Sequence, residues 1–195
     1  MEDAQRYLSE TFEQSMAAKS EFFKTHAELL IKGARLIGDA VNAGGKILIC
    51  GNGGSAADSQ HMAAEMVGRM LMERRPLPAI ALTTDTSILT AVANDYSYDD
   101  IFKKQVEALG RRGDVLIAIS TSGNSKNILS AVEVAKRVGA SVIGLTGGTG
   151  GKLKELADVS LNVTLGKNAS RIQETHIFAV HSLVDLTDRF FWKNT

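Results

Sequence analysis

The chain has 195 residues, of which 44% are hydrophobic, and its 22 basic residues are balanced by 22 acidic ones. This length favours one domain with a substantial core over residues 1–195, and the balanced charge disfavours nucleic acid as the main ligand. No apolar stretch reaches the roughly 20 residues of a membrane span, and the N-terminus is unlike a signal peptide. The single cysteine, Cys50, excludes an internal disulfide. We therefore expect a cytoplasmic protein without a membrane partner.

The first 43 residues have the composition and periodicity of helices. They contain no proline and only two glycines, and apolar residues recur at helical spacing. We predict two helices, over 2–24 and 26–43, that break near Thr25 and end at Gly44-Gly45. Their phenylalanine-rich stripe must be buried, either in the core of the same chain or against a partner subunit.

Residues 44–195 alternate short apolar runs with amphipathic segments, which is typical of an α/β fold. The predicted strands cover residues 46–50, 78–83, 114–119, 140–145 and 158–164. The predicted helices cover residues 55–71, 86–93, 98–109, 125–138, 151–157 and 170–191. Strands separated by helices imply a three-layer sandwich, in which a five-stranded parallel sheet has helices on both faces.

Two strand-to-helix junctions carry the clearest functional signal. The first reads Gly51-Asn52-Gly53-Gly54-Ser55, and the second reads Ser120-Thr121-Ser122-Gly123-Asn124-Ser125. Glycines allow close backbone approach, and free N–H groups at a helix start bind anions. The hydroxyls of the second junction suit a phosphate monoester. Because ligands of parallel sheets bind at the carboxyl ends of the strands, we expect both junctions to face one pocket.

Two glycine-rich runs resemble cofactor loops but fail in detail. The run 51–56 fits the dinucleotide fingerprint, yet the acidic residue expected about 20 residues later is displaced to Asp85. The run 147–152 resembles a phosphate loop, but Thr146 and Leu153 stand where that loop needs a glycine and a magnesium-binding hydroxyl. Nicotinamide, flavin and ATP chemistry are therefore not indicated.

A histidine and a glutamate follow the first junction at helical spacing. His61 and Glu65 share one helical face at i, i+4, and their helix starts at the anion loop, so its early turns border the expected pocket. In the last helix His181 has apolar neighbours, which is typical of a core histidine. Spacing alone aligns His181 with Glu174 better than with Gln173.

In combination, these motifs resemble the sugar isomerase (SIS) domain family, and within it the phosphoheptose isomerases. The matching stretches run along the whole chain: GNGGSAADSQHMAAE, LTTDTSILTAVANDY, GDVLIAISTSGNSKNI and RIQETHIFAVH. The resemblance implies a flavodoxin-like SIS fold as a single domain. Residues 1–43 would pack at the subunit interface of a homotetramer, and residues 44–195 would form the α/β core.

The resemblance also implies a reaction and its residues. The expected activity is the aldose–ketose isomerisation of D-sedoheptulose 7-phosphate to D-glycero-D-manno-heptose 7-phosphate through an enediol, the first step toward ADP- or GDP-heptose for bacterial surface saccharides such as lipopolysaccharide. Glu65 and His181 would be the acid/base pair. One Zn²⁺ per subunit would be bound by His61, Glu65, Gln173 and His181. The substrate would contact Asn52, Gly53, Gly54, Ser55, Glu65, Asn94, Asp95, Ser120, Thr121, Ser122, Ser125 and Gln173.

One position departs from the family pattern. Phosphoheptose isomerases can carry an acidic residue before the Arg-Ile-Gln stretch, where this chain has Ser170. Two alternatives stay open: a non-catalytic SIS regulator of the type that binds the replication initiator DnaA, and an isomerase of another phosphosugar. Glu65, which the initiator-associating relative lacks, favours catalysis.

Overall fold

The structure is a computed structural model that describes residues 2–192. Within that range a parallel sheet contains the strands β1 (Ile47–Gly51), β2 (Ala79–Ala81), β3 (Val115–Ser120), β4 (Ser141–Gly147) and β5 (Val159–Val163). The α-helices of the same range are α1 (Glu2–Asn42), α2 (Gly54–Val67), α3 (Thr86–Asp95), α4 (Lys103–Leu109), α5 (Lys126–Val138), α6 (Gly151–Leu156) and α7 (Ala169–Phe191). The predicted α/β class and five parallel strands are confirmed.

The N-terminal region is one continuous helix of 41 residues, so the predicted break near Thr25 is wrong. The Thr25 hydroxyl donates a hydrogen bond to the Glu21 carbonyl one turn back, which accommodates a β-branched polar residue inside a helix. No glycine or proline stands at this point to end the helix.

Several predicted elements are shorter in the structure. The helix predicted over 55–71 ends at Val67 as α2. The strand predicted over 78–83 is reduced to the three residues of β2, which lies at the edge of the sheet. The helix predicted over 98–109 is divided into a 3₁₀ turn, Tyr98–Asp100, and α4. Ile101 and Phe102, which lie between the two, are buried in the core, so packing rather than helix propensity decides this boundary.

The order of the strands places the two polar junctions next to each other. The sheet runs β2-β1-β3-β4-β5, with every pair parallel. The chain thus leaves β1 toward one side and returns to β3 on the other, which opens a crevice between the carboxyl ends of these two strands. Gly51 at the end of β1 is in register with Ile119 of β3, so the junctions that follow begin side by side.

Each face of the sheet carries its own apolar core. On one face α1, α2 and α7 pack together, with Met62 and Leu183 among the buried side chains. On the other face α4, α5 and α6 pack, with Val106 and Ile128 buried. Cys50 belongs to this second core, and burial raises the pKa of its thiol to about 12, which keeps it protonated.

The first half of α1 leaves an apolar stripe uncovered. The second half of the helix is buried against the sheet and α7 through residues such as Leu30 and Ile37. The first half instead exposes more than half of the surface of Tyr7, Leu8, Phe12, Met16 and Phe23. Among the helices of residues 2–192, none combines the length and the apolar character needed to cross a bilayer.

A buried polar network connects the carboxyl ends of β4 and β5 with α1 and α7. His176 Nε2 lies 2.9 Å from the Thr146 carbonyl oxygen, and the Thr146 hydroxyl donates to the Asn162 side chain at 2.9 Å. The Asn162 backbone N–H donates to His26 Nε2 at 3.2 Å, so this nitrogen carries no proton. Burial lowers the pKa of His26 and lowers that of His176 to about 4. Both imidazoles are therefore held neutral.

We expect acid to destabilise the fold through His176. Its pKa falls from 6.5 to about 4 on folding, so between these values only the unfolded chain takes up the proton, and the free energy of unfolding decreases by about 2–3 kcal/mol over that window. Urea unfolding of chelator-treated wild type and His176→Gln at about pH 7 and about pH 4.5 measures the effect. The variant should lose less stability on acidification, and an equal loss in both proteins would contradict the assignment.

Candidate active site

Two helices begin at the crevice between β1 and β3. α2 starts after the first junction and α5 after the second. Their N-cap residues, Gly53 and Ser125, make no side-chain hydrogen bond to the helix that follows. The N–H groups of Ser55, Ala56 and Ile128 donate to backbone carbonyls of the two junctions, and no cap side chain covers the helix ends. The positive ends of both helix dipoles lie at the carboxyl ends of the strands. This is the arrangement that binds an anion.

The second junction lines this edge with hydroxyl groups. Ser120 is buried at the end of β3, and its Oγ lies 2.9 Å from the Oγ of Ser125. The Ser122 Oγ accepts a hydrogen bond from the Asn124 backbone N–H at 3.2 Å, which tightens the turn. Thr121 is partly buried between them. Hydroxyls that can donate to phosphate oxygens therefore stand beside the N-terminus of α5, as the sequence predicted.

Asn52 of the first junction is fixed by two residues that the sequence analysis missed. Its amide exchanges two hydrogen bonds, of 2.9 and 2.8 Å, with the amide of Asn127 in the first turn of α5. The Tyr98 hydroxyl donates to Asn52 Oδ1 at 3.0 Å. The amide pair joins residues 75 positions apart and ties the two junctions together, so no local pattern could have revealed it.

Close backbone approach shapes the rest of the first junction. Gly53 adopts a φ of 56°, a conformation that suits glycine. A Cβ on Gly54 would lie 2.7 Å from the side-chain nitrogen of Gln173, so the turn and α7 are in direct contact there. Ser55 is buried in the first turn of α2.

His61, Glu65 and His181 form a compact cluster, which we call the triad. Potential ligand atoms from the three side chains all lie within 4.8 Å of one another. His61 Nε2 is 3.2 Å from Glu65 Oε1 and 3.2 Å from His181 Nε2. The structure thus brings the predicted His/Glu pair of α2 together with the predicted histidine of α7, across a separation of 120 residues.

The donor set and spacing of the triad fit a zinc ion. Two nitrogens bound tetrahedrally at about 2.0–2.1 Å from one zinc are about 3.3 Å apart, and the two histidine nitrogens are 3.2 Å apart. The second carboxylate oxygen of Glu65, Oε2, is buried and has no hydrogen-bond partner within residues 2–192. Such an oxygen is costly to bury unless a cation or a ligand meets it. Three protein ligands also leave a coordination position for a substrate oxygen.

Asp58, one turn before His61 on α2, is a further acidic group near the triad that the sequence analysis did not single out. Burial raises the pKa of its carboxyl, and the nearby His61 partly opposes that rise. A carboxylate beside a metal-binding imidazole can orient the ring and increase its basicity.

Gln173 contacts the start of α2. It precedes His181 by eight residues, which is about 12 Å along an α-helix, and its amide rests on Gly54 at the start of α2. Glu174, which spacing alone aligned with His181, is held 2.5 Å from Arg171. The carboxylate that the structure brings into the triad is that of Glu65 on α2.

Asn94 and Asp95 end α3 as exposed residues, and the Asn94 amide donates to the Asp95 carboxylate at 2.8 Å. The chain that follows them reaches the first junction through the hydrogen bond between Tyr98 and Asn52. Both residues thus stand near the rim of the crevice rather than within the triad.

Comparison with known proteins relates the chain to one family along its length. Residues 11–147 match the SIS domain. The chain is 49% identical, over 99% of its own length and 92% of the other, to a phosphoheptose isomerase of Nitratidesulfovibrio vulgaris. The solved phosphoheptose isomerases of Neisseria gonorrhoeae (48% identity, TM-score 0.89) and Francisella tularensis (42% identity, TM-score 0.91) each align with 95% of this chain and 98% of their own.

The hydroxyl-lined junction predicts that inorganic phosphate stabilises the protein. Ser125→Ala removes one donor to an anion, and a hydrogen bond to a charged group contributes about 1.5–3 kcal/mol, so phosphate affinity should fall about tenfold or more. The shift of the melting temperature with phosphate concentration measures this affinity. Ser141→Ala, at the opposite end of the sheet, is the matched control. Equal phosphate affinity in both variants would place the anion elsewhere.

Proposed function

Because the chain belongs to the SIS domain family and shares about half of its residues with full-length phosphoheptose isomerases, we propose that it converts D-sedoheptulose 7-phosphate to D-glycero-D-manno-heptose 7-phosphate at the triad. The observation that carries the proposal is the position of the triad. His61 and Glu65 project from the helix that begins at the first junction, and the hydroxyl-lined second junction lies next to it. The second junction would thus bind the phosphate, and the triad would transfer protons, in the same crevice.

The substrate phosphate, in this proposal, binds Ser120, Thr121, Ser122 and Ser125 with the N-terminus of α5. The opened sugar extends toward the triad along the first junction, where Asn52, Gly53, Gly54 and Ser55 line it, and Asn94 and Asp95 contact it from the rim. The amide pair supports this role because it holds Asn52 rigid before substrate arrives. Holding a flexible chain by its phosphate supplies orientation, which lowers the entropic part of the barrier.

The reaction moves a proton from C1 to C2 of the open ketose. Glu65 takes the C1 proton and returns it to C2 of the enediol, while His181 transfers protons at the sugar oxygens. The two oxygens of Glu65 support a double use of this carboxylate: Oε1 faces His61, whereas Oε2 is buried without a partner in the described chain. One oxygen can then bind a metal while the other accepts the proton.

We also propose one Zn²⁺ per subunit, bound by His61, Glu65 and His181. When bound, zinc supplies Lewis acidity that stabilises negative charge on the substrate oxygens. Gln173 is proposed as the fourth ligand, which requires its amide to turn from Gly54 toward the triad. An amide oxygen is a weaker zinc ligand than imidazole or carboxylate, so Gln173 should contribute less affinity than the other three.

We propose that the chain is a single SIS domain that assembles as a cytoplasmic homotetramer. The exposed stripe of α1 supports the assembly, because five large apolar side chains on one helix are left for another surface to cover. The single buried thiol of Cys50 is compatible with a reducing compartment.

Loss of either proposed proton-transfer group should abolish most turnover. Glu65→Gln keeps the shape of the side chain, and His181→Ala removes the imidazole; each should lower kcat/KM for sedoheptulose 7-phosphate by about 10²–10⁴. Glu133→Gln, on the exposed face of α5, is the control and should behave as wild type. Chelation should inactivate wild type, and added zinc should restore it. No turnover by zinc-loaded wild type would refute the proposed function and favour a non-catalytic SIS protein.

The assembly depends on the α1 stripe in this proposal. Leu8→Ser and Phe12→Ser together should convert the tetramer to smaller species in sedimentation velocity, with the helix content unchanged, because they remove apolar surface that is exposed in the single chain. Glu13→Ser, on the same helix, should leave the sedimentation coefficient unchanged. A double variant that stays tetrameric would show that this stripe is not the interface.

A further inference from the structure

A buried arginine connects the two helices that carry the triad. Arg74 lies in the irregular segment between α2 and β2, and none of its side chain is exposed. Its Nε donates to Asp188 Oδ1 of α7 at 2.8 Å, and the exposed fraction of the Asp188 side chain is only 2%. Its two terminal nitrogens donate to α2: Nη2 to the Glu65 carbonyl at 2.9 Å and Nη1 to the Gly68 carbonyl at 2.7 Å. One guanidinium thus binds the end of α2 and the side of α7 together.

This contact belongs to a regular series along the two helices. Gln173 of α7 meets Gly54 of α2, His181 meets His61, and Asp188 meets the end of α2 through Arg74. Asp188 follows His181 by seven residues, two helical turns, and so lies on the same side of α7. The triad stands between the contact at Gly54 and the contact at Arg74.

We propose that Arg74 and Asp188 are positioning residues of the zinc site, which hold α2 and α7 at the separation that puts the triad at ligand spacing. This inference rests on the proposed function, since it presupposes that the triad binds zinc. The link to the triad is direct, because the carbonyl that Arg74 Nη2 binds is that of Glu65 itself. A metal site requires its ligands to be held within about 0.5 Å of their productive positions.

The energetics of a buried ion pair favour a geometric role. The cost of removing two charges from water often cancels their attraction. An apolar pair of similar volume would therefore stabilise the fold at least as much as the ion pair does. An apolar pair could not satisfy the last carbonyls of α2, nor could it fix the orientation of one helix against the other with a planar fork of donors.

A purely structural role makes a different prediction. If Arg74 only caps α2, its loss lowers the stability of the whole fold but leaves the zinc affinity of the folded molecules unchanged. If it positions the triad, zinc affinity falls and the geometry of the bound metal changes. Metal binding by folded protein therefore separates the two roles.

The experiment compares wild type with Asp188→Asn and Arg74→Lys, which we call the clamp variants. Asp188→Asn removes a charge and Arg74→Lys removes the fork of donors, and each keeps the approximate size of the side chain. Asp114→Asn is the control. The Asp114 carboxylate pairs with Lys46 at 2.6 Å, and its side chain is 3% exposed. Asp114 precedes β3 and so lies at the amino-terminal end of the sheet, away from the carboxyl ends that face the crevice. We expect zinc affinity, measured by competition with a chromophoric chelator, to fall about 10–100-fold in the two clamp variants. The visible absorption bands of the Co²⁺-substituted protein should shift in the same variants.

Zinc affinity and Co²⁺ spectra that match wild type in both clamp variants would overturn the inference, even if their melting temperatures fall. Asp114→Asn should lower the melting temperature without altering metal binding, and an equal loss of zinc affinity there would also overturn it, since affinity would then follow stability. If wild type itself binds neither zinc nor Co²⁺, the proposed metal site fails, and the inference fails with it. Wild type that binds zinc and isomerises the substrate, beside clamp variants with unaltered affinity, refutes the positioning role alone.

Discussion

The contact between α2 and α7 is the constraint on which the site depends. Each helix by itself carries only part of the triad: His61 and Glu65 on α2, His181 on α7. Their nitrogens and carboxylate oxygen meet because both helices pack on the same face of the sheet, in the core that contains Met62 and Leu183. The apolar packing brings the helices together, but apolar contacts are tolerant of small shifts. The hydrogen bonds that Arg74 donates at the end of α2 are directional and define the relative position of the two helices more narrowly.

The parallel sheet fixes the other half of the site. Since β1 and β3 are neighbours, the two helices that follow them present their N-termini at one crevice, and one of those helices is α2. The first junction and the triad are therefore linked through a single rigid element, because α2 begins at the first junction and carries His61 and Glu65 in its second and third turns. The proposed phosphate binding does not require a net positive charge, because the attraction would come from oriented N–H groups and hydroxyls rather than from an excess of lysine and arginine.

What could be predicted from the sequence follows from the range of the interactions involved. The strands, most helices and both junctions were predictable because apolar periodicity, glycines and serines are local signals. The continuity of α1 was missed because a β-branched residue such as Thr25 is unfavourable inside a helix. In the structure its hydroxyl donates a hydrogen bond to the Glu21 carbonyl, and the helix continues. Asn127, Tyr98, Arg74 and Asp188 were missed for the opposite reason: the side chains that they bond lie 46 to 114 residues away, and nothing near them in the chain marks them. The place of His181 was predicted only by family resemblance, because its apolar neighbours describe a core histidine equally well.

The same reasoning explains why α1 bears on the chemistry although it contributes no residue to the triad. α1 packs along α7 through Leu30, Ile37 and Leu183, so the position of α7 on the sheet depends on α1. Arg171, at the start of α7, reaches the Thr11 carbonyl in the half of α1 whose outer face is exposed. In the proposed homotetramer, a subunit that covers this stripe would therefore contact the same helix that packs against α7. Assembly would then be coupled to the position of His181 through the packing of α1 on α7.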